Sequence, residues 1–164
     1  MKRRRTRRTA PGLTYRLLDV LMASDSAPMP AEKRRHQLTR MWEGLAALER
    51  DPEPSLDDWR VCSDAVNLME TLVCTMGLAE DPQGLLQDAV SALAGAGRRY
   101  RGGMALRLDA PGIQAVRAVL TDYAELLDVI SHRQAVQAHA LTERRIREIL
   151  AGKRQPHDIE VMSL

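Results

Sequence analysis

The chain contains no phenylalanine, and its two tryptophans and three tyrosines are only 3% of 164 residues. With 45% of the residues hydrophobic, the interior must be filled by Leu, Ala, Val, Ile and Met. These side chains favour helices, and Met adapts to irregular gaps. The same scarcity argues against a stacking platform for single-stranded nucleic acid, which needs several rings. No apolar run reaches the ~18 residues needed to span a bilayer, so no membrane partner is expected. Cysteine is nearly absent. Cys62 and Cys74 fall on one predicted helix, where a rise of ~1.5 Å per residue sets them about 18 Å apart, beyond the ~7 Å a disulfide tolerates. Two unpaired thiols fit a reducing, cytoplasmic setting. Cys62 reads as a small core residue and Cys74 as a partly exposed free thiol, with nothing nearby to mark either as a nucleophile.

Catalytic and cofactor signatures are missing as well. The four histidines, His36, His132, His139 and His157, form no HExxH and no i, i+4 ligand pair, and CxxC, GxGxxG, GxxxxGK[ST] and GxSxG are all absent. The carboxylates Asp57, Asp58 and Glu70 sit at the start or on the polar side of a predicted helix, where dipole and solubility roles account for them. No enzyme activity, cofactor or metal is expected.

What the chain does have is helical periodicity. From Ser55 to Met76, Trp59, Cys62, Val66, Met69, Val73 and Met76 step by three and four, and Val61, Ala65, Leu68 and Leu72 widen the stripe to about half the wheel. Arg60, Ser63, Asp64, Asn67, Glu70 and Thr71 make the polar half. A stripe that broad needs several neighbours, which marks this helix as the centre of the fold. Others are predicted near Leu13 to Ala23, from Pro30 to Arg50, from Asp81 to the glycines Gly95 and Gly97, after Asp109, and up to Leu150 with Gly152 at its end. SDSAPMP and DPEPS are loops, SHRQ interrupts the last helical region, and no strand alternates convincingly. The expectation is all-α. It comprises a flexible basic arm (1–12), a single bundle of five or six helices (13–152) and a C-terminal tail (153–164), with Ser55–Met76 and Gly112–Ile130 as the core pair.

Charge is divided unevenly. The net charge is +2, but Lys2, Arg3, Arg4, Arg5, Arg7 and Arg8 are six of the 24 basic residues, and without them the remainder stands at −4. The N-terminus has the basic flank of a secretion signal, yet Tyr15, Arg16 and Asp19 make the next segment an amphipathic helix instead. Clustered arginines at a chain end can neutralise phosphates and release counterions, or can simply be a solvated terminus. A second candidate is the predicted loop Arg98, Arg99, Tyr100, Arg101, Gly102, Gly103, with three guanidinium groups around one ring. Its ordinary reading is an inter-helix connection whose glycines supply turn conformations.

Two resemblances extend this. IREILAGKRQP is similar to the recognition helix and following turn of repressor-type helix-turn-helix proteins, which implies groove or phosphate contacts for Arg144, Arg145 and Arg147. The residues themselves also fit an amphipathic closing helix with a basic outer face. GLTYRLLDVLMASDSAPMP, RMWEGLAALE, DDWRVCSDAVNLMETLV, GIQAVRAVL and RIREILAGKRQPHD together resemble small helical proteins encoded on phages and integrative mobile elements of proteobacteria. That likeness transfers no site residue. It implies a bacterial cytoplasm and an accessory protein that binds nucleic acid or a host nucleoprotein or defence complex. An alternative is a protein inhibitor of a host enzyme or defence complex, an anti-CRISPR-like role in which Asp51, Glu53, Asp57 and Asp58 imitate phosphate. A homodimer is a further expectation from the broad central stripe.

Overall fold

Four of the five helices begin where a side-chain oxygen accepts backbone N–H groups that the first turn leaves without helical partners. The structure, a computed structural model, describes residues 22–81 and 83–153. In order it comprises α1 (Ala31–Arg50), α2 (Leu56–Glu70), a π-helical turn (Thr71–Thr75), α3 (Leu85–Arg101), α4 (Ala110–Val129) and α5 (His132–Leu150). The described residues are all-helical, with no strand among them. The basic arm, most of the helix expected near Leu13 to Ala23, and most of the tail lie outside them.

α2 starts with a reciprocal cap in which the Asp58 N–H donates to Ser55 Oγ (3.2 Å) and the Ser55 N–H to Asp58 Oδ2 (3.0 Å). Ser131 and Gln134 repeat the device at α5, which is why SHRQ separates two helices. Asp81 caps α3 through the N–H groups of Leu85 and Leu86, both at 3.0 Å. Asp109 caps α4 through Gly112 N–H at 2.8 Å, with Pro111 in the first turn where its missing donor is harmless. α1 instead follows Pro30, whose side chain offers no cap.

α2 packs on every other helix, as the breadth of its stripe implied. Trp59, Cys62, Val66 and Leu72 are buried in one continuous core with Met41 and Leu45 of α1, Val90 and Leu93 of α3, and Val116, Leu120 and Tyr123 of α4. Trp59 Nε1–H donates to the Leu93 carbonyl at 3.0 Å, satisfying a buried ring donor across the α2–α3 contact. Two glycines permit close approach. A Cβ on Gly44 of α1 would lie 2.9 Å from the Asp58 carbonyl oxygen, and one on Gly112 of α4 would lie 2.9 Å from Ala92 Cβ of α3. The most extensive interfaces are accordingly α3 with α4 and α1 with α2, rather than the expected pairing of α2 with α4.

Three sequence expectations need correction. α3 does not stop at Gly95 and Gly97. It continues to Arg101, with Ala94, Ala96 and Gly97 buried, because these small residues serve packing, and turns only at Gly102 and Gly103 (φ +87°). α2 does not run on as an α-helix to Met76. The bond from Met76 N–H to the Thr71 carbonyl (3.0 Å) widens the ladder by one residue. Finally, Ser63, Asn67, Glu70 and Thr71, assigned to a polar outer face, are all buried, the last three because α5 meets them with polar side chains of its own.

Candidate functional site

The arginines expected to form a loop occupy the last turn of α3. Arg98, Arg99 and Arg101 surround its C-terminal carbonyls, where the helix dipole favours cations. Arg99 Nη2 donates to the Arg107 carbonyl at 2.8 Å, which ties the turn to the strap leading into α4. Tyr100 (42% exposed) and Met104 (53% exposed) are also accessible at this end of the helix. The result is a cationic helix end that also carries an accessible ring.

α5 divides its arginines. Arg144 is exposed and its Nε bonds Glu148 at 2.8 Å, while Arg147, also exposed, donates to the Glu143 carbonyl at 3.3 Å. Arg145 turns inward instead. Its guanidinium forms an ion pair with Glu70 and donates to the Asn67 carbonyl at 3.2 Å. With side-chain exposures of 7% and 10%, Arg145 and Glu70 make an interior pair, so the proposed groove contact at Arg145 is withdrawn: the cation is already held within the fold. Thr71 and Thr142 hydroxyls meet 2.6 Å apart beside it. Asn67 carbonyl oxygen also accepts from Thr71 Oγ1 at 3.2 Å. Side-chain donors drawn to a helix carbonyl loosen its ladder, which accounts for the π-turn beginning at Thr71.

These two arginine groups are not brought together, since α3 and α5 share no substantial interface. The arm residues Lys2 to Arg8 lie outside the described residues. The acidic group weighed for phosphate mimicry is engaged locally: Asp51 Oδ1 accepts from Glu53 N–H at 2.9 Å, Asp57 pairs with Arg60 at 3.3 Å, and Asp58 completes the α2 cap. The breadth of the central stripe, the basis for a homodimer, is used within one chain by α1, α3, α4 and α5.

A feature missed in the sequence is a cleft of about 260 Å³ among α1, α2, α4 and α5. Its floor is Met41, Ala65, Leu68 and Tyr123, with His36 and Arg40 on the α1 side and Asp64 and Glu143 at the α2 and α5 sides. Gln37 donates to Tyr123 Oη at 2.6 Å, fixing the phenol at the inner wall. His139 also lines it, and burial holds its pKa down at about 4. Solvent reaches Asp64, yet the cleft walls displace water from most sides. Its pKa is pushed up to about 6 by that desolvation, with Arg60 opposing and Glu143 adding to the rise. The lining comes from four separated segments, so no local motif announces it. In the core, burial pushes the Cys62 thiol up to about 12, which makes it inert as a nucleophile. Cys74 is exposed on the π-turn, and both cysteines are free.

Among the described residues, no group of three or more His, Cys, Asp and Glu is arranged to hold a metal, and no helix is long and apolar enough to cross a membrane. No family model, curated protein or solved structure matches the chain.

Proposed function

We propose that the protein is a non-catalytic nucleic-acid-binding accessory protein, a helical bundle that grips phosphates with its basic N-terminal arm and the arginine turn of α3. The observation that carries this reading is the turn itself: Arg98, Arg99 and Arg101 on one helical end, with Tyr100 accessible in the same turn. Guanidinium groups bind phosphate oxygens in a fixed fork, and a single accessible ring can stack on one base at a strand end or loop. Arg144 and Arg147 add a weaker cationic face, offset by Glu143 and Glu148. The same proposal takes in the bacterial cytoplasmic setting and accessory role that the resemblance to mobile-element proteins implies, with a nucleoprotein complex as the natural target.

The test is an electrophoretic and anisotropy titration of the full chain against Arg98→Gln/Arg101→Gln. Both side chains are exposed, so the fold should be retained. Loss of two phosphate contacts should flatten the log–log salt dependence on duplex DNA by about 2. Unchanged affinity and slope would remove the turn from the interface.

A further inference from the structure

The cleft between α1, α2, α4 and α5 has charge of both signs around an apolar floor. His36 and Arg40, one helical turn apart on α1, form a basic rim; Asp64 on α2 and Glu143 on α5 form an acidic one. Yet the rims are not joined. Neither Arg40 nor Glu143 takes part in the ion pairs that Arg34, Arg60, Arg117, Arg133, Arg144 and Arg145 form. Asp64 has the Arg60 cation nearby, but Arg60 Nη1 bonds Asp57 at 3.3 Å. Between the rims lie the half-buried side chains of Val61 and Ile146, backed by a buried layer of Met41, Leu68 and Tyr123. Opposite charges held apart over an apolar surface are best matched by a molecule that has the same separation of charge and an apolar group between. At about 260 Å³ the space falls below the ~300–1,000 Å³ typical of drug-sized ligand sites, so the occupant is small.

We infer that this cleft binds a small zwitterion with an apolar side group, the chemistry of a free α-amino acid. The carboxylate faces Arg40 and His36, the ammonium faces Asp64 and Glu143, and the side group lies on Val61 and Ile146. A ligand of one sign leaves the other rim uncompensated and meets like charge there. About ten non-hydrogen atoms at the ligand efficiency of drug-sized compounds correspond to dissociation constants of about 1–10 mM. The inference is independent of nucleic-acid binding, since none of the α3 arginines lines the cleft.

Met41, 1% exposed and part of the floor, supplies the readout. The full chain, labelled with ¹³C-methyl methionine, is titrated with L-phenylalanine and L-leucine and with the one-signed halves 2-phenylethylamine and 3-phenylpropanoate. The expected result is a saturable shift of the Met41 methyl by at least one amino acid, while the signal of exposed Met104, which is not part of the cleft, stays fixed. Each half-molecule should bind about tenfold more weakly than L-phenylalanine, and Asp64→Asn and Arg40→Gln should each weaken amino-acid binding about fivefold or more. Both substituted residues are exposed, and matching thermal midpoints establish that the variants fold. No saturable shift with either amino acid up to about 50 mM, equal affinity for a one-signed half, or unchanged binding by both variants would overturn the inference.

Discussion

At the scale of single residues, Arg145 and Glu70 are the most consequential pair. Removing one partner of an interior ion pair leaves the other charge buried and uncompensated, so Arg145→Met should destabilise the chain by about 3–5 kcal/mol. Arg145→Met with Glu70→Leu should recover most of that loss, because an apolar pair of similar volume avoids the desolvation of both ions. Urea unfolding of the two variants checks the difference. His139 and Asp64 act on stability with opposite signs. The folded pKa of His139 is about 4 against an ordinary 6.5, so the unfolded chain binds a proton first. That stability is full above pH 6.5 and is lost as pH falls, by about 2 kcal/mol at pH 5. The folded pKa of Asp64 is about 6 against 3.8, so between those values the folded chain holds the extra proton and gains stability as pH falls. The gain is smaller than the His139 loss because solvent reaches the carboxylate. His139→Gln should therefore flatten the acid loss of urea midpoint between pH 7 and 5, and Asp64→Asn should steepen it.

At the scale of elements, the starts of helices are set by local chemistry and their sides by tertiary partners. Ser55→Ala removes one reciprocal cap and should lower stability by about 1 kcal/mol. Gly44→Ala forces a Cβ to within 2.9 Å of a backbone carbonyl and should cost about 1–3 kcal/mol despite alanine's better helix propensity. Thermal or urea unfolding measures both. This division explains what the sequence discloses. Ser55 with Asp58 and Asp109 with Pro111 are legible as helix starts because a cap acts within four residues, whereas SHRQ is legible only as an interruption. Gly95 and Gly97 mislead because a glycine that ends a helix and one that lets another helix approach look alike until the partner is known. The polar half of α2 misleads for a related reason. Hydrophobic periodicity finds apolar interfaces, whereas α5 meets α2 through Thr142 and Arg145, which hydropathy counts as surface.

At the scale of the whole molecule, one core joins all the helices, and the candidate binding features are distributed over its outside. The cleft draws on α1, α2, α4 and α5, and no stretch of sequence contains more than one of its walls. The cationic features are easier to see, because they are runs: residues 2–8 and 98–101 are legible as charge clusters whatever the fold. What the fold adds is that the second run is an ordered helix end, and that Arg145 belongs to the interior. The central claim is that these runs grip phosphates. The most direct measurement is fluorescence anisotropy of labelled duplex DNA and single-stranded RNA with residues 1–164 and with 9–164 across a salt series. If six arm charges contact phosphates, the log–log slope on duplex DNA should be about 5 shallower without the arm, and affinity at moderate salt should collapse. Equal slopes and equal affinities for the two forms, or no binding by either, would contradict the account.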